Sequence, residues 1–74
     1  MAYVPKPNPS FLDKLEKYHV IDGKQTYRDN DKYYQWDGLH GEIEVYNKRG
    51  FHIMVLDPQG KYIKDAVRGR KINV

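Results

Sequence analysis

From Gly41 the chain alternates strictly: Glu42, Glu44 and Tyr46 fall on one side of an extended strand, Ile43 and Val45 on the other. That period of two commits the segment to a sheet with one apolar face. The opposite face is expected to display His40, Glu42 and Glu44 in a row, open to solvent. Asp37 precedes this row across Gly38, so an Asp, a His and two Glu fall within eight residues. Such a row can offer one substrate both a general acid and a general base.

The rest of the chain supplies a sheet for that strand to join. Lys32–Trp36 is rich in aromatics, and Phe51–Leu56 is apolar apart from His52. Asn47-Lys48-Arg49-Gly50 separates the two central strands. Asp57-Pro58-Gln59-Gly60 is a type I turn signal, with Pro second and Gly fourth, and Lys61–Val67 returns from it. Val20-Ile21 leads into the Asp22-Gly23 turn, with Lys24–Arg28 a short return strand and Arg28–Asp31 a polar loop. Short loops between consecutive strands predict an antiparallel meander.

Residues 1–9 hold three prolines and read as an extended arm outside the sheet. Ser10 and Asp13 resemble a capping box, and Phe11, Leu12, Leu15 and Tyr18 recur at helical spacing, which predicts a helix over 10–19. The expected fold class is therefore α+β: a small twisted antiparallel sheet covered by one short N-terminal helix. The expected organisation is an arm over 1–9 and a single domain over 10–74.

With 74 residues the chain holds one small core. It has no cysteine, which excludes disulfides, zinc–thiolate sites and thiol catalysis. No apolar run approaches the length of a membrane span. Thirteen Lys and Arg against ten Asp and Glu give a net charge of +3. The excess collects at the end, where Lys61, Lys64, Arg68, Arg70 and Lys71 face one acid, Asp65. A basic end beside an acidic-histidine strand points to an anionic partner, nucleic acid first.

These parts match metal-independent RNA cleavage by internal transfer. That reaction needs a base for the 2′-hydroxyl proton, an acid for the leaving 5′-oxygen and cations for the phosphorane-like transition state. His40 is the candidate acid and Asp37 its orienting carboxylate. Glu42 and Glu44 are both candidate bases, and strand spacing of about 6.6 Å per two residues favours Glu42 as the neighbour of His40. Arg70 and Lys64 are candidate phosphate clamps. His52, in an apolar strand, reads as structural. No H-x-H or H-x-x-x-H pair supports a metal site, and no metal or other cofactor is expected.

Tyr34-Gln-Trp-Asp-Gly-Leu-His-Gly-Glu-Ile-Glu-Val-Tyr46 closely resembles Y-x-W-D-x-x-H-G-E-L-E-x-Y, the signature of the cytotoxic domain of ribosome-inactivating colicins and cloacin. The likeness runs on through Gly50-Phe51-His52-Ile53, Asp57-Pro58, Lys64 and Arg70-Lys71-Ile72; residues 1–30 carry little of it. The resemblance implies an endoribonuclease toxin that cuts 16S ribosomal RNA in the decoding site and blocks translation. It implicates Asp37, His40, Glu44 and Arg70 in catalysis, with Glu44 preferred to Glu42 as base. It assigns substrate contacts to Tyr34 and Lys64, beside which Trp36, Glu42 and Lys71 are further candidates. It also implies an acidic immunity protein as partner and action in the cytoplasm of a target bacterium. The chain then stands either as the C-terminal module of a larger toxin or as a free-standing relative, and nothing suggests an obligate dimer. The alternatives are a ribonuclease with a broader target, tRNA or mRNA, and a non-catalytic RNA- or ribosome-binding module on the same fold.

Overall fold

The computed structural model describes residues 3–74, so Met1 and Ala2 of the expected arm lie outside the described residues. Six strands form a single antiparallel sheet in sequence order: β1 (Glu16–Ile21), β2 (Lys24–Arg28), β3 (Lys32–Asp37), β4 (Glu42–Asn47), β5 (His52–Leu56) and β6 (Tyr62–Asp65). The meander is as the sequence predicts. Asp22 and Gly23, both at positive φ (54° and 77°), make the hairpin turn between β1 and β2. Gly60 N–H closes the turn before β6 on Asp57 C=O at 2.9 Å.

The expected helix over 10–19 is corrected: the described residues contain no α-helix, only a 3₁₀ turn at Phe11–Lys14. The fold is an antiparallel sheet with one helical turn, not a clear α+β arrangement. The cap itself forms, since Ser10 Oγ accepts from Leu12 N–H and Asp13 Oδ2 from Ser10 N–H. Leu15 is already extended, and Glu16 begins β1. The β-prone run Tyr18-His19-Val20-Ile21 gains a strand partner across the tight turn, and one 3₁₀ turn suffices to place Leu12 in the core.

One sheet face packs Tyr34, Ile43, Val45, Leu56 and Tyr27 under Leu12. The other holds a smaller cluster of Ile21, Tyr46 and Ile72. Ile72 gets there because the chain after β6 carries on antiparallel to β5 and runs past its start. His52 N–H donates to Arg70 C=O at 2.9 Å, and Ile72 N–H to Gly50 C=O at 2.8 Å. Gly50, at φ 91°, lies so close that any Cβ would overlap the Ile72 carbonyl oxygen. Glycine is required there both for the conformation and for the space. This returning tail carries Arg70 onto the face of β4 that bears the glutamates.

Candidate active site

Asp37 ends β3, and its side chain organises the Gly38–Gly41 turn. Its Oδ1 accepts from the N–H groups of Leu39 (3.0 Å) and His40 (3.3 Å), while Gly41 N–H donates to its backbone carbonyl at 2.8 Å. Its other oxygen, Oδ2, lies 2.8 Å from His40 Nδ1. Burial pushes the Asp37 carboxyl up, but the bonds from the His40 ring and the turn amides outweigh it and hold the group below the usual carboxylate range. An ionised Asp37 accepting from Nδ1–H fixes the imidazole orientation and turns Nε2 outward. The His40 side chain is 60% exposed. His40 therefore sits in a turn and not on the strand, so strand spacing does not govern its distance to Glu42.

Glu44 is not on a solvated face. It is 2% exposed, packed beneath Arg70 and beside His52. Arg70 Nη1 lies 2.6 Å from Glu44 Oε1, and His52 Nε2 lies 3.2 Å from the same oxygen. Both contacts use Oε1, which leaves Oε2 as the oxygen available to a ligand. Glu42, two residues back, pairs instead with Lys64 Nζ at 3.2 Å. Asp37, His40, Glu42, Glu44, Lys64 and Arg70 all line one pocket of about 140 Å³, with Val55, Asp65 and Val67 completing it.

The structure leaves three candidates outside that pocket. Tyr34 lies on the opposite face, in the core, its hydroxyl donating to Asp29 Oδ2 at 2.7 Å. Burial and the Asp29 carboxylate both push its phenol pKa up. Trp36 is on the same face as Tyr34, with Nε1 bound to Val4 C=O at 2.9 Å. Lys71 follows Arg70, but its ammonium rests over the Phe51 ring.

His52, read from sequence as structural, is buried beside Glu44 and does not line the pocket; its contact with Glu44 had no signal in the sequence. Its Nδ1 accepts the Val67 N–H at 2.8 Å, which puts the neutral ring's proton on Nε2, beside Glu44. Nε2 makes no well-formed hydrogen bond, and Glu44 Oε1 at 3.2 Å is its close charged neighbour. Burial, with Arg70 nearby, lowers the His52 pKa below 6.5 despite the opposing pull of Glu44. The folded state thus resists a proton that the unfolded chain accepts. Stability contributed by the neutral ring is complete above pH 6.5 and declines as pH falls from there toward the lowered value. Urea unfolding between pH 7 and 5 should show that loss, at most about 1.4 kcal/mol per pH unit for one proton. His52→Asn, whose Oδ1 can still accept from Val67 N–H, should flatten the slope; an unchanged slope would assign it to another group.

Asp37, His40 and Glu42 each offer an atom within 4.8 Å of the others. The Asp37–His40 bond and the Glu42–Lys64 pair already engage all three, which suits an ion-pair network better than a cation site. Larger hollows of about 300 Å³ occur where the β2–β3 and β4–β5 loops meet. There Arg28–Glu16 and Lys32–Asp31 pair with each other, and no histidine is present.

A histidine held by a carboxylate, a second carboxylate under an arginine and a lysine paired with a third carboxylate suit acid–base chemistry on an anion. A family model described as Cytotoxic matches residues 15–73. The chain belongs to the Cytotoxic family. The match is consistent with a domain of the colicin and cloacin type, and it takes in β1 and β2, where the motif resemblance was slight. No curated protein and no solved structure is significantly similar to the chain. Membership makes this Cytotoxic domain a toxin domain. No helix among its described residues is long and apolar enough to cross a membrane.

Proposed function

We propose that this domain is an endoribonuclease toxin that cleaves 16S ribosomal RNA in the decoding site, without a metal, and so stops translation. The observation that carries the proposal is the convergence of the Asp37–His40 pair and the Glu44–Arg70 pair on one pocket. Glu44 Oε2 takes the 2′-hydroxyl proton, and the 2′-oxygen attacks the adjacent phosphorus. His40, as imidazolium, gives its Nε2 proton to the departing 5′-oxygen. The P–O5′ bond breaks, leaving a 2′,3′-cyclic phosphate and a 5′-hydroxyl. Arg70 and Lys64 offset the charge that builds on the phosphoryl oxygens.

Glu44 suits the base better than Glu42. An in-line transfer needs base and acid on opposite sides of phosphorus, and the Glu42 carboxylate lies within 4.8 Å of the Asp37–His40 pair. Glu44 stands about 6.6 Å further along the strand, which leaves room for a phosphate between it and His40. Glu42 holds Lys64 in place. The basic stretch from Lys61 to Lys71 suits both RNA and an acidic immunity protein that would cover the pocket in a producing cell. The site of action is the cytoplasm of a target bacterium.

Incubating the purified protein with intact 70S ribosomes in EDTA and resolving the RNA on a gel tests this. One short 3′ fragment of 16S RNA, absent with His40→Ala, is expected. Uncut ribosomes with free RNA degraded at many sites would replace this target with a broader one, tRNA or mRNA. No cleavage of either substrate by folded protein would leave a non-catalytic binding module.

A further inference from the structure

We propose that Tyr3 and Val4 of the N-terminal arm are positioning residues for the site: they clamp the Gly38–Gly41 turn and so set the direction of His40. The His40 ring is 60% exposed, so packing does little to aim it. Its direction comes from Asp37 and from the turn backbone. Asp37 holds the turn from within, through the Leu39, His40 and Gly41 N–H groups. Among the described residues, only the arm holds it from outside by hydrogen bonding. Val4 N–H donates to Gly38 C=O at 2.7 Å, and Val4 C=O accepts from Trp36 Nε1 at 2.9 Å.

Val4 thus ties the turn to the strand that leads into it. Side chains complete the clamp. The Tyr3 ring lies against Gly38 so closely that any Cβ there would overlap it, and a Val4 methyl sits 3.4 Å from where a Cβ on Gly41 would be. The arm is itself anchored: Lys6 Nζ reaches the Tyr27 hydroxyl at 3.2 Å and Asp13 Oδ1 at 3.7 Å. Neither Tyr3 nor Val4 lines the pocket, so loosening the clamp moves the acid without removing a substrate contact. How this affects turnover rests on the proposed role of His40; whether it affects the turn does not.

Two measurements on the full chain with Tyr3→Ala, Val4→Pro and the control Tyr3→Phe test the clamp. Trp36 is the only tryptophan, so its emission reports the arm directly. Tyr3→Ala and Val4→Pro should shift that emission to longer wavelength and speed amide exchange at Gly41, while Tyr3→Phe should match the parent. In RNA cleavage the first two variants should lower kcat about tenfold at unchanged KM, since a misplaced catalytic group costs rate without costing binding. In a His40→Ala background they should cost nothing more. Unchanged emission and exchange would overturn the clamp, and faster exchange with unchanged kcat would overturn its positioning role. If the parent cleaves no RNA, the reading of His40 as an acid fails, and emission and exchange still decide whether the arm holds the turn.

Discussion

Arg70→Ala should lower the folding stability of the domain by about 3 kcal/mol, a large fraction of what a chain of this size can hold. The Glu44 side chain is 3% exposed, and Arg70 Nη1 at 2.6 Å is the cation that compensates it. In the parent, burial and the nearby guanidinium hold the His52 pKa below its ordinary value, so Arg70 and not His52 supplies the compensating charge. Deleting the guanidinium leaves a buried carboxylate whose remaining close neighbour is the His52 imidazole. The lower end of the range for broken buried pairs applies, because the Arg70 side chain is itself 38% exposed. Urea denaturation of four proteins measures the effect: parent, Arg70→Ala, Glu44→Gln and the double variant. Arg70→Ala should cost far less in the Glu44→Gln background, where no buried charge is stranded. Equal costs in both backgrounds would show that Arg70 stabilises by packing its stem. Arg70→Lys should restore most of the stability but less of the turnover, because an ammonium lacks the planar fork that grips a phosphate at two points.

Glu44→Gln and His40→Ala should each reduce RNA cleavage by about 10²–10⁴-fold, the usual contribution of a positioned base or acid. The two differ in what else they change. His40 is largely exposed and its removal disturbs only the bond to Asp37, so the fold should be unaffected. Glu44 is buried, contrary to the solvated row expected from its alternation with Ile43 and Val45. Glutamine keeps its shape and leaves an oxygen for Arg70 and His52, so circular dichroism and melting temperature should stay close to the parent. Cleavage at the parental rate by both variants would remove them from the chemistry. Loss in Glu44→Gln accompanied by unfolding would leave its catalytic role to be judged on single-turnover rates of the folded fraction.

Much of this was legible locally. Asp22-Gly23 and Asp57–Gly60 sit at the turns because turn chemistry depends on a few adjacent residues. Alternation correctly divided β4 into Ile43 and Val45 against Glu42, Glu44 and Tyr46. The same rule applied to β3 separates Tyr34 and Trp36 from Gln35 and Asp37, so their place on the far face was readable from parity. The helix expected over 10–19 failed for a different reason. Its cap and apolar spacing were real, but a strand partner lay across the next turn, and pairing outweighed a weak local preference.

By itself the sequence determined the meander and brought Asp37, His40 and Glu42 near one another, because turns and strand parity are local and these residues are neighbours in the chain. Only the tertiary structure decided what Glu44 is. Its burial, its pairing with Arg70 and its contact with His52 depend on a tail that continues past β6 along the start of β5 and lies against Gly50. The arm that grips the Gly38–Gly41 turn crosses more than thirty residues of sequence to reach it. Neither contact has a local signal, because both exist only once the sheet has formed a surface on which a distant segment can lie.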